Sequence, residues 1–73
     1  MTIFQKNLRL LRLSRKMTQE DLGISSGLSA AVISHYECGQ REPNLASLRA
    51  LKEALDCEYE EFFKTWKTKE PKD

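Results

Sequence analysis

Residues 18–37, TQEDLGISSGLSAAVISHYE, decide the fold. They read as two short helices joined by a tight turn. Thr18 is an N-cap residue, and Gln19, Glu20 and Asp21 follow it. A hydroxyl cap satisfies an orphan backbone N–H, and carboxylates in the first turn suit the positive end of the helix dipole. Leu22 is the inward anchor of this helix. Gly27 lets the chain reverse, because a residue without a Cβ takes left-handed angles freely. Ser29 is the next N-cap, and Ala30 to Glu37 follow as a second helix. Ile33, Tyr36 and Glu37 share one face of it, whereas Ala30, Ala31, Ser34 and His35 share the opposite one. A short helix packed by one face and bare on the other presents the bare face to something.

The flanking sequence fits a single small all-α domain. Seventy-three residues suffice for one core and lie near the lower limit for a core without staples. Leu, Ala, Glu, Lys and Arg are plentiful, with only three Gly and two Pro, which favours helices. Nothing alternates like a strand for more than a few residues. Thr2 to about Lys16 reads as the first helix, with Phe4, Leu8 and Leu11 as its apolar stripe. Leu10 and Leu13 widen that stripe; Ile3, Leu10 and Leu13 read as edge-of-core residues, the alternative being a contact with another chain, and Met17 plugs the base. After Glu37, Gly39 marks a helix end and Pro43 blocks continuation. Asn44 caps a further helix to about Leu55, with Leu45, Leu48, Leu51, Ala54 and Leu55 as its apolar set. Glu58 to about Trp66 reads as a fifth helical segment, and residues 67–73 as a charged flexible tail.

Charge and cysteines narrow the function classes. The formal net charge is only +1, so the total does not announce a nucleic acid. Its distribution says more: Lys6, Arg9, Arg12, Arg15 and Lys16 all precede the first acidic residue, Glu20. Cys38 and Cys57 match no zinc or redox spacing, and the single His35 cannot complete a metal site. Reduced thiols in a cytoplasmic protein are expected. No apolar run reaches membrane-span length, so no membrane partner is expected. No nucleophile–base pair, metal set or phosphate loop points to catalysis or a cofactor. Ser34 and His35 are helix neighbours, splayed by about a hundred degrees, and do not form a catalytic pair.

The spaced set Thr18-Gln19-Glu20-Asp21-Leu22, Gly27-Leu28-Ser29, Ile33-Ser34, Glu37-Cys38-Gly39, Arg41, Pro43, Leu48, Leu51, Ala54 and Leu55 resembles the Cro/phage-repressor (XRE) helix-turn-helix family. The match runs from about Phe4 to Phe63. The resemblance implies a five-helix, lambda-repressor-like DNA-binding domain with the helix-turn-helix at helices 2 and 3, spanning residues 1–66. It implies a phosphate-clamping role for Gln19 and a cap or phosphate contact for Ser29. Ala30, Ala31, Ser34 and His35 match the positions that read base edges. Gln40, Arg41 and Asn44 fall in the loop that follows the sugar-phosphate backbone, and Arg41 is the best single candidate for a phosphate or minor-groove contact. Arg12 and Glu37 match a partly buried structural ion pair. Two departures stand out. Alanines occupy positions where long polar side chains are common, and Gly23 stands where alanine is usual, which weakens helix 2.

Members of the family usually pair about a two-fold axis, placing two helices in successive major grooves about 34 Å apart. The resemblance therefore implies a homodimer on a palindromic operator. Tyr59, Phe62, Phe63 and Trp66 give four aromatics in eight residues. Phe62 suits the monomer core; Tyr59, Phe63 and Trp66 suit the partner surface. The implied function is a bacterial or phage-encoded transcriptional regulator, of the repressor or the restriction-modification controller kind, acting near RNA polymerase. The competing reading is an antitoxin-like protein-interaction module on the same fold, supported by the two alanines and the low net charge.

Overall fold

Each helix begins where the sequence supplies a side-chain cap. The computed structural model describes residues 2–65. Helix α1 spans Ile3–Ser14, α2 Gln19–Ser26, α3 Ala30–Cys38 and α4 Leu45–Leu55. Thr2 and Gln5 form a reciprocal capping box on α1, as do Thr18 and Asp21 on α2. The Ser29 hydroxyl accepts the Val32 N–H, and Asn44 Oδ1 accepts that of Ser47. Gly27 and Gly39 end α2 and α3 in the left-handed conformation, at φ 76° and 83°. Lys16 and Asp56 take the same region without being glycine, just after α1 and α4.

The inward faces meet in one core of Leu8, Leu11, Leu22, Ile33, Tyr36, Leu51, Leu55, Cys57 and Phe62. Phe4, Met17, Leu28, Val32, Leu48 and Ala54 pack against it. Burial also pushes the Cys57 thiol above its ordinary pKa, outweighing the nearby Arg15 cation. Cys38 is exposed, and both cysteines are free thiols.

Two expectations need correction. Leu45 was assigned to the apolar set of α4, yet it is 78% exposed. It occupies the first position of α4, which overhangs the core that Leu48, Leu51 and Leu55 reach. The fifth helical segment expected over 58–66 is present among the described residues only in shortened form. A four-residue 3-10 turn, Tyr59–Phe62, stands there, with no side-chain cap on it. Phe62 at its end is drawn fully into the core, and the Asn7 amide donates to the carbonyl of Glu61. In an α-helix that carbonyl would accept the N–H of Thr65. Trp66 and the tail 67–73 lie outside the described residues.

One polar cluster ties the front of the bundle together. Arg12 of α1 donates from Nε to Glu37 Oε2 at 2.7 Å and from Nη2 to Glu37 Oε1 at 3.1 Å. Its Nη1 donates to the Met17 carbonyl at 2.8 Å, and Gln19 Nε2 donates to Glu37 Oε1 at 3.2 Å. The paired side chains are 9% and 6% exposed. A pair this buried is costly to break, because the survivor is left desolvated. Glu37→Ala should therefore destabilise the fold by about 3–5 kcal/mol, read as a lower urea midpoint at unchanged slope.

Candidate nucleic-acid interface

α2 and α3 are joined by three residues, Gly27, Leu28 and Ser29. The Leu28 N–H returns to the Gly23 carbonyl at 2.9 Å, and the Ser26 hydroxyl donates to the Leu22 carbonyl at 2.7 Å. The turn is thus closed by its own polar groups. Gly23 has a second role there. A Cβ on it would lie 2.6 Å from Ser29 C and 2.7 Å from Ala30 N, both backbone atoms. The missing side chain lets the start of α3 seat directly on α2. The weakening expected from helix propensity therefore comes with a closer contact between the two helices.

That contact sets which face of α3 is left bare. Ile33, Tyr36 and Glu37 are buried. Ala31 is exposed, while Ala30, Ser34 and His35 are half-buried. His35 Nδ1 is fully buried and has no hydrogen-bond partner among the described residues. Nε2 is thus the ring nitrogen left to meet a ligand. The bare face is small and shallow: two methyl groups, one hydroxyl and one imidazole edge.

The residues expected to grip a phosphate chain flank this face. Gln19 opens α2 and uses its amide nitrogen on Glu37, so one of its two N–H donors is committed and one remains. Ser29 is exposed; its oxygen accepts the Val32 N–H, which leaves the hydroxyl proton to donate outward. Gln40 and Arg41 are exposed in the loop after α3, and both backbone N–H groups bond the His35 carbonyl, at 2.9 and 3.4 Å. Arg41 makes no ion pair among the described residues. Asn44 is exposed but spends its Oδ1 on capping α4.

Two surface features escaped the sequence reading. A cleft of about 510 Å³ lies between the start of α1 and the α3–α4 loop, lined by Ile3, Phe4, Arg41, Pro43, Leu48 and Phe63 among others. Leu45, Leu48, Arg49 and Tyr59 line a second, more open depression of about 370 Å³. The signal for both was present in the leucine and aromatic spacing, but periodicity does not say where a helix overhangs its core. Among the described residues, no cluster of three His, Cys, Asp or Glu could hold a metal ion, and no helix is long and apolar enough to cross a membrane.

Short side-chain-capped helices packed around one small core fit a class, the helix-turn-helix proteins of the Cro/phage-repressor type. The chain belongs to this family, matching it over residues 8–62. It is 46% identical over 61 residues to the HTH-type transcriptional repressor RghR of Bacillus subtilis, covering 82% of this chain and 45% of that protein. A second B. subtilis relative, the transcriptional regulator RghRB, is 41% identical over 61 residues, or 82% of this chain and 44% of its own length. The chain thus spans less than half the length of these curated relatives. Among solved structures it is similar to the restriction-modification controller protein C.AhdI of Aeromonas hydrophila. The TM-score is 0.81 at 37% identity, covering 85% of this chain and 94% of that one. It also resembles the P22 c2 repressor in complex with a synthetic operator, with TM-score 0.76 and 33% identity over 88% of this chain and 96% of the other. These relatives carry regulator names, and the family is not enzymatic.

The tight seat of α3 on α2 is testable. Gly23→Ala would ordinarily gain about 1 kcal/mol of helix propensity. Here the added methyl must push backbone aside, so the variant should instead lose about 1–3 kcal/mol. Urea denaturation reads the sign, and amide shifts concentrated on residues 28–33 locate the displacement.

Proposed function

We propose that the chain is a sequence-specific DNA-binding transcriptional regulator that engages a palindromic operator as a homodimer. α2 and α3 form its helix-turn-helix, and α3 enters the major groove. One observation carries this reading: the bare face of α3 is flanked on both sides by donors suited to phosphate. Gln19 and Ser29 stand at two helix N-termini, where unpaired N–H groups and the helix dipole favour an anion. Gln40 and Arg41 stand at the other end of α3. The regulator names of the relatives and the operator in the P22 c2 complex support the same partner.

The division of labour follows from side-chain chemistry. Phosphate contacts position the protein; base edges specify the sequence. Ala30 and Ala31 make no hydrogen bonds, but they permit close approach and fit a thymine methyl. Hydrogen-bonding readout then falls on Ser34 and on Nε2 of His35, with DNA shape contributing at untouched positions. Arg41 supplies the mobile cation for the backbone or minor groove. Two exposed aromatics, Tyr59 at 39% and Phe63 at 54%, offer a pairing surface, joined by Leu45. Trp66, assigned to the same surface from sequence, lies outside the described residues. Pairing doubles the number of bases read, and an operator near a promoter brings the dimer beside RNA polymerase in the cytoplasm.

Selection of bound sites from random duplex DNA tests the proposal. Enriched sequences should be inverted repeats with half-sites about one helical turn apart. No enrichment, or an unrepeated site, would overturn it. Arg41→Ala should weaken binding to every duplex by a similar factor and reduce the salt slope by about one. Gel-shift titrations across several salt concentrations measure both. His35→Ala should relax preference at one or two base positions, each carrying about 1–3 kcal/mol of discrimination. Repeating the site selection with that variant shows whether those positions lose their preference.

A further inference from the structure

Asn7 lies in the middle of α1 and is 1% exposed. An amide buried that deeply costs free energy unless it is paired. Its Nδ2 donates twice, to the Glu61 carbonyl at 3.1 Å and to the Lys64 carbonyl at 2.8 Å. Between these two carbonyls sit Phe62, which is fully buried, and Phe63, which is 54% exposed. Phe4, one helical turn before Asn7 on α1, brings its ring centroid within 5.5 Å of Phe62 and 6.0 Å of Phe63. Ring contacts of this kind are loosely directional and let the outer ring pivot. Two hydrogen bonds to carbonyls on either side of it fix the stretch of backbone from which the ring projects.

We propose that Asn7 is the positioning residue for pairing of two chains: its amide clamps the backbone around Phe63 and fixes the place from which that exposed ring meets a partner chain. The proposal rests on the homodimer reading above. Its physical reason is entropic. An aromatic ordered before contact loses less freedom on association than one ordered by it. The ring leaves the end of the 3-10 turn on a short strap that the clamp holds at both ends. Asn7 is far in sequence from α2 and α3, and none of its bonds reaches them. Its loss should therefore be read first in pairing, with half-site binding as the control for the α3 face.

Sedimentation equilibrium of the full chain, with Asn7→Ala, Asn7→Asp and Phe63→Ala beside the wild type, tests this. The alanine removes both donors; the aspartate keeps the shape and turns donors into acceptors. Each Asn7 variant should dissociate at about tenfold higher concentration or more, because association must then order the segment that the clamp no longer holds. Trypsin should cleave faster after Lys64 in both, and binding of the monomer to a single half-site should be unchanged. Phe63→Ala should dissociate similarly with cleavage after Lys64 unaltered. A lowered melting temperature with an unchanged dimer constant would assign Asn7 a merely structural role and overturn the proposal. In the wild type itself, backbone order parameters at Phe63 and Lys64 should match those of α1. Low values there would overturn the clamp even if the Asn7 variants do not fold. A wild type that stays monomeric overturns the pairing reading and this proposal with it; a wild-type dimer indifferent to Asn7→Ala overturns this proposal alone.

Discussion

The bidentate contact between Arg12 and Glu37 is the constraint on which the rest depends. It joins α1 to α3 through two hydrogen bonds inside the protein, and its other bonds reach the Met17 carbonyl and Gln19. Four pieces of chain are thereby referred to one ion pair: α1, the turn before α2, the first residue of α2 and the last turn of α3. Apolar packing alone would leave α3 free to rotate a few degrees about its axis, since dispersion contacts are weakly directional. A planar guanidinium against a carboxylate is not so forgiving. The orientation of the α3 face is therefore specified by a polar contact, while the stability of the domain comes mainly from the leucines beneath it.

The same economy holds at the start of α3. Gly23 brings two backbones together where a methyl would hold them apart, and Thr18, Ser29 and Asn44 each close a helix end with a single side-chain oxygen. In a domain this small, few residues are left over for stability alone. Gln19 shows the consequence: one amide serves the internal cluster and keeps a donor for an external partner.

Much of this was legible from residue types and spacing. Caps and left-handed glycines are local chemistry, so Thr18, Gly27, Ser29, Gly39 and Asn44 could be placed without knowing the fold. The buried faces of α1 and α3 and the inner leucines of α4 followed from helical period. The resemblance, and not periodicity, supplied the Arg12–Glu37 partnership. What could not be read was tertiary competition. Glu58–Trp66 has helical spacing, but its described part is a short 3-10 turn whose backbone is tied to a side chain 54 residues earlier. Leu45 has the right period and the wrong end of the helix. Gly23 carries a propensity penalty in sequence, and its reason is visible only when Ser29 lies against it. The roles of Ala30, Ala31, Ser34 and His35 toward a base, and of Tyr59 and Phe63 toward a second chain, concern partners that one chain does not contain.

The His35 carbonyl receives three N–H groups, from Gly39, Gln40 and Arg41. The loop that carries the cation is hung from the backbone of the half-buried His35, and not from its ring. Backbone suspension and side-chain identity are thus separable at one position. If α3 is the reader, an evolving lineage can exchange the imidazole for another side chain and move to a new target while the phosphate grip stays in register. Divergence of recognition then needs one codon, with no compensating change in the loop.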